Sequence, residues 1–240
     1  MGSGGDRLVV IDWNVGDHGT QADLKGMLDR CDVLCLQEMG DRDGFYDCLH
    51  DHGWKTYDAG GDNGRHSTPI AWDPKAMGPV NQHYCKQLSP KTHAPGTGPD
   101  DVKAKWLIGC AWDYPNYQHQ VRVGCLHLVS DSGKDNQKRH DLAHDEIVNA
   151  STMWRKADGT FPVGPMVIAG DWNTSWDNDL LDPMRNQHWK PSQGCDGYVC
   201  HTHGNWTPDQ QWWRNAAVYK QGQIRTGSDH DAYWVSYTLS

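Results

Sequence analysis

Short apolar runs alternate along the chain with stretches whose apolar residues recur at helical spacing, so it reads as strands interleaved with amphipathic helices. Residues 8–13 form the first strand, and 21–30 a helix with Leu24, Met27 and Leu28 on one face. Residues 33–36 (VLCL) and 166–169 (MVIA) are continuously apolar, the pattern of strands covered on both faces. Further strands are expected at 69–72, 106–112, 121–128 and 233–239, with a short helix at 44–52. The longest helix is expected at 136–156, where Leu142, Ile147 and Val148 stand among charges. Between 89 and 101, Pro90, Pro95, Gly96, Gly98 and Pro99 predict a loop long enough to be functional. From 177 to 227 the periodicity fades into turns carrying Trp189, Trp206, Trp212 and Trp213. The irregular interleaving predicts mixed sheets packed in layers with helices outside, not a regular βαβ repeat.

At 240 residues the chain can bury a sizeable core. Met1 to Gly5 reads as a flexible, tag-like start and 6–240 as a single domain. A net charge of −9 gives no general pull on polyanions, so nucleic acid would have to be held by a local site or a bound cation. Neither a membrane span nor a charged-then-apolar leader is visible, which predicts a soluble, intracellular (cytoplasmic) protein, monomeric by default. Of the eight cysteines, Cys35, Cys110 and Cys125 sit in apolar strands and read as reduced thiols. Cys195 and Cys200 are close enough in sequence for a short-loop disulfide, and free thiols are the alternative.

Four of the apolar strands end on a group capable of chemistry. Asn14 follows 9–13, Gln37-Glu38 follows 33–36, His127 follows 123–126, and Asp171-Trp172-Asn173 follows 166–170. Ser228-Asp229-His230 precedes the last strand. Buried strands fix their terminal residues rigidly, and a sheet edge is where several can meet. Carboxylates, imidazoles and amides together suit metal-assisted attack on a phosphate ester. A hard divalent cation takes oxygen ligands and keeps several waters, so one or two carboxylates suffice. Glu38 is the first choice, with Asn14 in support and Asp229 as a possible partner. A base must orient the attacking water, and an imidazole must face the developing negative charge.

This ordered set resembles the endonuclease/exonuclease/phosphatase superfamily, with its deoxyribonuclease-I-like fold. The resemblance runs over nearly the whole chain: Asn14, Gln37-Glu38, His127, Gly170-Asp171-Trp172-Asn173 and Ser228-Asp229-His230. It implies a four-layer α/β sandwich of two mixed sheets with helices on both outer sides, and an Mg²⁺- or Mn²⁺-dependent phosphoesterase. By resemblance Glu38 is the principal metal ligand with Asn14 beside it, and Asp229 is a second metal or water ligand. Asp171 and His230 orient and activate water, His127 donates to the phosphate or the leaving oxygen, and Asn173 holds a phosphate oxygen. The family's Arg-x-Asp-Tyr strand, whose Asp orients a histidine, has its nearest match at Arg214–Tyr219, which lacks the Asp. The orienting carboxylate would then come from elsewhere, such as Asp209 or Asp231. Where the family often keeps a Glu near 69–72, Arg65 and His66 stand instead.

Arg65, Lys134 and Asn14 are further candidates for substrate contact, and Lys138 and Arg139 extend the Lys134 patch. His140-Asp141-Leu142-Ala143-His144 imitates a zinc-protease motif but has Asp for the catalytic Glu, which favours a solvated helix face. Cys195, Cys200, His201 and His203 match no standard zinc module. Trp206, Trp212 and Trp213 could stack on bases or simply pack. The sequence therefore favours a nuclease acting on DNA or RNA. A lipid or small-molecule phosphoesterase and an inactive binding module of the same fold remain as rivals.

Overall fold

The computed structural model describes residues 7–40, 42–58, 68–90, 92–93, 101–102, 104–115, 117–130 and 137–239. The tag-like start, Arg65, His66 and Lys134 lie outside the described residues, and Lys138 is described by its backbone alone. In chain order the elements begin β1 (Arg7–Asn14), α1 (Gln21–Leu28), β2 (Val33–Gln37), α2 (Asp43–Asp51), β3 (Lys55–Tyr57), β4 (Ile70–Trp72) and α3 (Pro74–Met77). Next come β5 (Val80–Ser89), β6 (Thr92–His93), β7 (Asp101–Val102), β8 (Lys105–Trp112), β9 (Val121–His127), α4 (Gln137–Ser151) and β10 (Met166–Asp171). The chain closes with α5 (Asp182–Asn186), β11 (Lys190–Pro191), β12 (Asp209–Arg214), β13 (Ala216–Ile224) and β14 (Ala232–Leu239).

Two six-stranded sheets result, ordered β13-β14-β1-β2-β4-β3 and β11-β12-β10-β9-β8-β5. Both are mixed: β1 runs parallel to β2 and antiparallel to β14, while β10 runs parallel to β9 and antiparallel to β12. Side chains alternate between the two faces of a strand, and the packing follows that period. Leu8, Val10, Cys35, Val123, Cys125, Val167, Ala169 and Val235 fill the layer between the sheets. The opposite faces are covered separately. Ile11, Trp13, Leu34 and Leu36 pack with Leu24, Met27, Phe45 and Leu49 of α1 and α2. Leu126, Met166, Ile168 and Trp212 pack with Ala143, Ile147 and Met184 of α4 and α5. The expected four-layer sandwich is the observed one.

The apolar runs all became strands, with ends shifted by a residue or two. The long helix stops at Ser151 instead of 156, and the chain turns away where Trp154 takes a left-handed backbone (φ 64°). Of the longer strands, periodicity missed β5, β12 and β13. β5 is an edge strand whose polar side chains face outward, so it has no apolar run to betray it. β12 is buried, yet it opens with Asp209, Gln210 and Gln211. Those amides are paid for in hydrogen bonds: Gln211 donates to the carbonyls of Val10 (3.1 Å) and Tyr233 (3.2 Å), and accepts from the Tyr237 hydroxyl (2.9 Å). The loop at 89–101 is described only near its ends, where β6 and β7 pair as a ribbon.

Candidate active site

The inner-face stripe of each central strand is apolar until its last positions and then turns polar. Leu8 and Val10 are followed on the same face by Asp12 and Asn14; Val123 and Cys125 by His127; Val167 and Ala169 by Asp171. Register then sets three of these groups in a row. Asp171 stands opposite His127 on β9 and opposite Asp209 on β12, and in the facing sheet Asn14 stands opposite Gln37. The close approach of β10 to β9 requires Gly170, since a Cβ there would lie 2.0 Å from the Leu126 carbonyl oxygen. Glu38 and Asn173, just beyond their strands, both adopt left-handed backbone (φ 57° and 51°). Asn tolerates that conformation, whereas for Glu38 it is the kind of strain found at functional sites.

These groups converge. The His127 Nε2 lies 3.7 Å from Asp171 Oδ2 and 3.9 Å from Glu38 Oε1. Asn14 Nδ2 donates to both carboxylates, at 3.1 Å to Glu38 and 3.0 Å to Asp171. Asp171 also accepts the Asn173 backbone N–H at 2.8 Å. Beside it the Nδ1 of His230 is 2.7 Å from Asp209 Oδ2, and Asp171, Asp209 and His230 bring ligand-capable atoms within 4.8 Å of one another. The Ser228 hydroxyl donates to the Asn14 carbonyl (2.9 Å) and accepts from the His230 N–H (3.2 Å), joining the last loop to the end of β1.

Burial and neighbouring charge divide the titratable groups into different states. Burial, then the Asp209 charge, push Asp171 up to about 6. Burial also opposes a charge on His230, but the hydrogen bond and charge of Asp209, with Asp171 and Asp229, outweigh it and raise His230 to about 9. His127 is driven well below the usual imidazole range by burial, then by the positive charges of Lys105 and His230, and is neutral. Asp12, wholly buried beneath the cluster, is raised well above the carboxylate range by burial and by Asp209.

Asn14, Glu38, His127, Asp171 and His230 thus share one cluster, with Asp229 on its lip, its side chain 57% exposed. Two amides of the cluster are anchored by hydrogen bonds to the backbone. Asn14 Oδ1 accepts the Gly16 N–H (3.0 Å), which holds its NH₂ group toward the two carboxylates. Asn173 donates its Nδ2 to the Leu128 carbonyl at 3.0 Å, tying its turn to the segment after His127. The orienting carboxylate is Asp209, at the start of β12, and not any residue of Arg214–Tyr219. Asp231 instead bonds Gln223 and the Thr226 N–H. His203, considered above only as a zinc ligand, stacks on His230 with ring centroids 4.5 Å apart.

The Cys195 and Cys200 thiols form no disulfide. Among the described residues, the ligand-capable groups that gather are His203-Asp229-His230 and Asp171-Asp209-His230, neither of which includes a cysteine. His144 is half exposed beside Asp145 on a solvated helix face. Trp212 and Trp213 are buried, and Trp206 is exposed. The donor chemistry suits a hard divalent cation. Glu38 is 45% exposed, and its Oε2 has no hydrogen-bond partner among the described residues, leaving an open carboxylate oxygen at the mouth of the cluster.

No family model and no curated protein matches the sequence. Solved structures do match the fold along nearly the whole chain. An endonuclease/exonuclease/phosphatase from Bacteroides vulgatus superposes with a TM-score of 0.74 at 12% identity, covering 98% of this chain and 99% of that one. The human Nocturnin catalytic domain with bound sulfate gives 0.71 at 14%, covering 98% and 95%. D. rerio TDP2 complexed with a single-strand DNA product gives 0.69 at 15%, covering 97% and 99%. At these identities the likeness shows the fold: this chain has the endonuclease/exonuclease/phosphatase architecture.

Proposed function

We propose that this chain is a divalent-metal-dependent phosphodiesterase that hydrolyses nucleic-acid backbones with an activated water. The observation that carries the reading is the convergence of Asp171 with neutral His127 and the Asp209–His230 pair at one end of both sheets. Asp171, at about 6, is largely ionised at neutral pH and accepts the proton of the attacking water. His230, at about 9, is an imidazolium held by Asp209 and opposes the charge that gathers on the phosphoryl oxygens. His127 carries one ring N–H at neutral pH and donates it toward the phosphate or the leaving oxygen. Mg²⁺ or Mn²⁺, held by Glu38 with Asp229 available on the lip, supplies positive charge against the phosphate when bound.

One comparison favours a nucleic-acid substrate over a lipid. The D. rerio TDP2 structure of the same fold carries a single-strand DNA product. The inactive-module reading rested on a missing orienting carboxylate, and Asp209 occupies that role at 2.7 Å. The test is an assay of the purified chain with Mg²⁺ or Mn²⁺ on plasmid, single-stranded DNA, RNA, phosphomonoesters and a choline phospholipid. Metal-dependent, chelator-sensitive cleavage of a polynucleotide is expected. Turnover confined to the phospholipid or the monoesters, or none with either metal, overturns the proposal.

A further inference from the structure

The opposite end of β9 carries a second concentration of charge. Arg122 sits in the same strand as His127, five residues earlier, or about 17 Å away at strand rise. By alternation it also lies on the other face of the sheet. It lines an open groove of about 640 Å³, together with Arg155, Lys156, His119, Gln118 and Gln120, on a chain whose net charge is −9. Among the described residues no Asp or Glu lines that groove.

Arg122 is only 9% exposed, and among the described residues it meets no carboxylate. Its guanidinium donates instead to neutral oxygens: the Gln120 side chain at 2.7 Å, the Gln120 carbonyl at 3.4 Å and the Val163 carbonyl at 3.5 Å. Its Nε–H is buried with no partner. The neighbouring acids are engaged elsewhere. Asp113 accepts from Asn81 and Gln120, and Asp158 from the N–H and hydroxyl of Thr160. The Trp154 ring packs against Gly109 and Gly124 and makes the groove's rigid floor, since a Cβ on either glycine would meet it at 3.3–3.4 Å. A buried guanidinium whose partners are all neutral leaves its charge uncompensated, and two exposed cations stand on the same wall.

We propose that this groove binds the phosphate group of a small phosphomonoester, at a site separate from the hydrolytic cluster. Arg122 supplies a fixed positive charge in the wall, Arg155 and Lys156 add exposed charge, and the exposed Gln82 and Gln118 amides can hydrogen-bond the body of the ligand. A groove of about 640 Å³ falls within the size range of small-molecule sites.

The test is calorimetric titration of the full chain with 5′-AMP in excess EDTA, which silences metal-dependent turnover and makes the result independent of whether the protein hydrolyses anything. Saturable binding is expected, weakened at least about tenfold in Arg155→Ala/Lys156→Ala, whose residues are exposed and whose loss spares the fold. Asp171→Ala should bind as tightly as the parent. Inorganic phosphate should displace the nucleotide. The proposal is overturned by absence of saturable binding, by a double variant that binds as tightly as the parent, or by AMP that phosphate cannot displace.

Discussion

The two ends of β9 solve opposite electrostatic problems with the same strand. At His127 the imidazole is surrounded by acids, Glu38 and Asp171 directly and Asp209 one strand further on. At Arg122 a guanidinium meets an amide and carbonyls and, among the described residues, no acid. The acidic end holds its groups through one another: Asn14 bridges two carboxylates, and Asp209 fixes His230. Remove one member and the others lose a partner. The basic end is held by backbone oxygens and a glutamine, so it is rigid without being coupled. A net charge of −9 describes neither end, because acids are concentrated in one cluster and, among the described residues, none lines the other groove.

The largest break expected in this comparison comes from the acidic end. Asp171→Ala should lower the hydrolytic rate by roughly 10²–10⁴, the usual worth of a positioned base, while circular dichroism shows the fold intact. Full retained activity would remove Asp171 from the mechanism. The second break is graded by pH. Activity should rise as Asp171 ionises through about 6 and fall as His230 loses its proton through about 9. Asp209→Asn removes the charge that raises His230, so the upper limb should move down toward 6.5 and the rate should fall by roughly 10–100-fold. A pH–rate profile of the variant with its upper limb unmoved would show that Asp209 is structural only.

How much of this was legible in the sequence follows from where side chains point. The strand-end residues Asn14, Glu38, His127, Asp171 and His230 lie beside apolar runs, and the runs predict strands, so their convergence could be read. Asp209 could not be fixed, because it opens a strand whose Gln210 and Gln211 look like surface while lying at 0% exposure. The signal was available only as alternation: Asp209, Gln211 and Trp213 fall on one face, and the last of them packs between the sheets. The amide orientations of Asn14 and Asn173 depend on the Gly16 N–H and the Leu128 carbonyl, partners that no spacing in the chain reveals. The Arg122 groove was invisible for a similar reason. It is assembled from β5, β9 with the segment leading into it, and the stretch between α4 and β10, and its one sequence trace is an arginine inside an apolar strand.

A smaller effect should come from Glu146, which connects α4 to the segment leaving the acidic end. It is fully buried, and accepts the Ser89 hydroxyl at 2.5 Å and the Val129 N–H at 2.7 Å, two residues past His127. Burial raises its pKa, although both hydrogen bonds act the other way. Glu146→Ala orphans two buried donors and should destabilise the protein by about 2–6 kcal/mol. Because Leu128 also receives the Asn173 amide, the loosened segment should cost activity severalfold, less than the Asp209 variant. Denaturant midpoints and kcat measured on the same preparations check both, and a rate loss equal to that of Asp171→Ala would place Glu146 in the chemistry itself.

The smallest expected effect is the sharpest test of separateness. Arg155 and Lys156 lie at the far end and outer face of the sheet, screened from the cluster by the core and by more than a Debye length of about 8 Å at physiological salt. If the two ends are independent, Arg155→Ala/Lys156→Ala should hydrolyse a short oligonucleotide within about twofold of the parent rate, as expected for distant sites with no shared partners. A longer strand could touch both ends, since its phosphates repeat along its length. The variant should therefore be compared on substrates of increasing length at fixed ionic strength. A KM that rises with length only in the variant would join the groove to the hydrolytic site as a backbone track, whereas equal KM values at every length would leave it a site of its own.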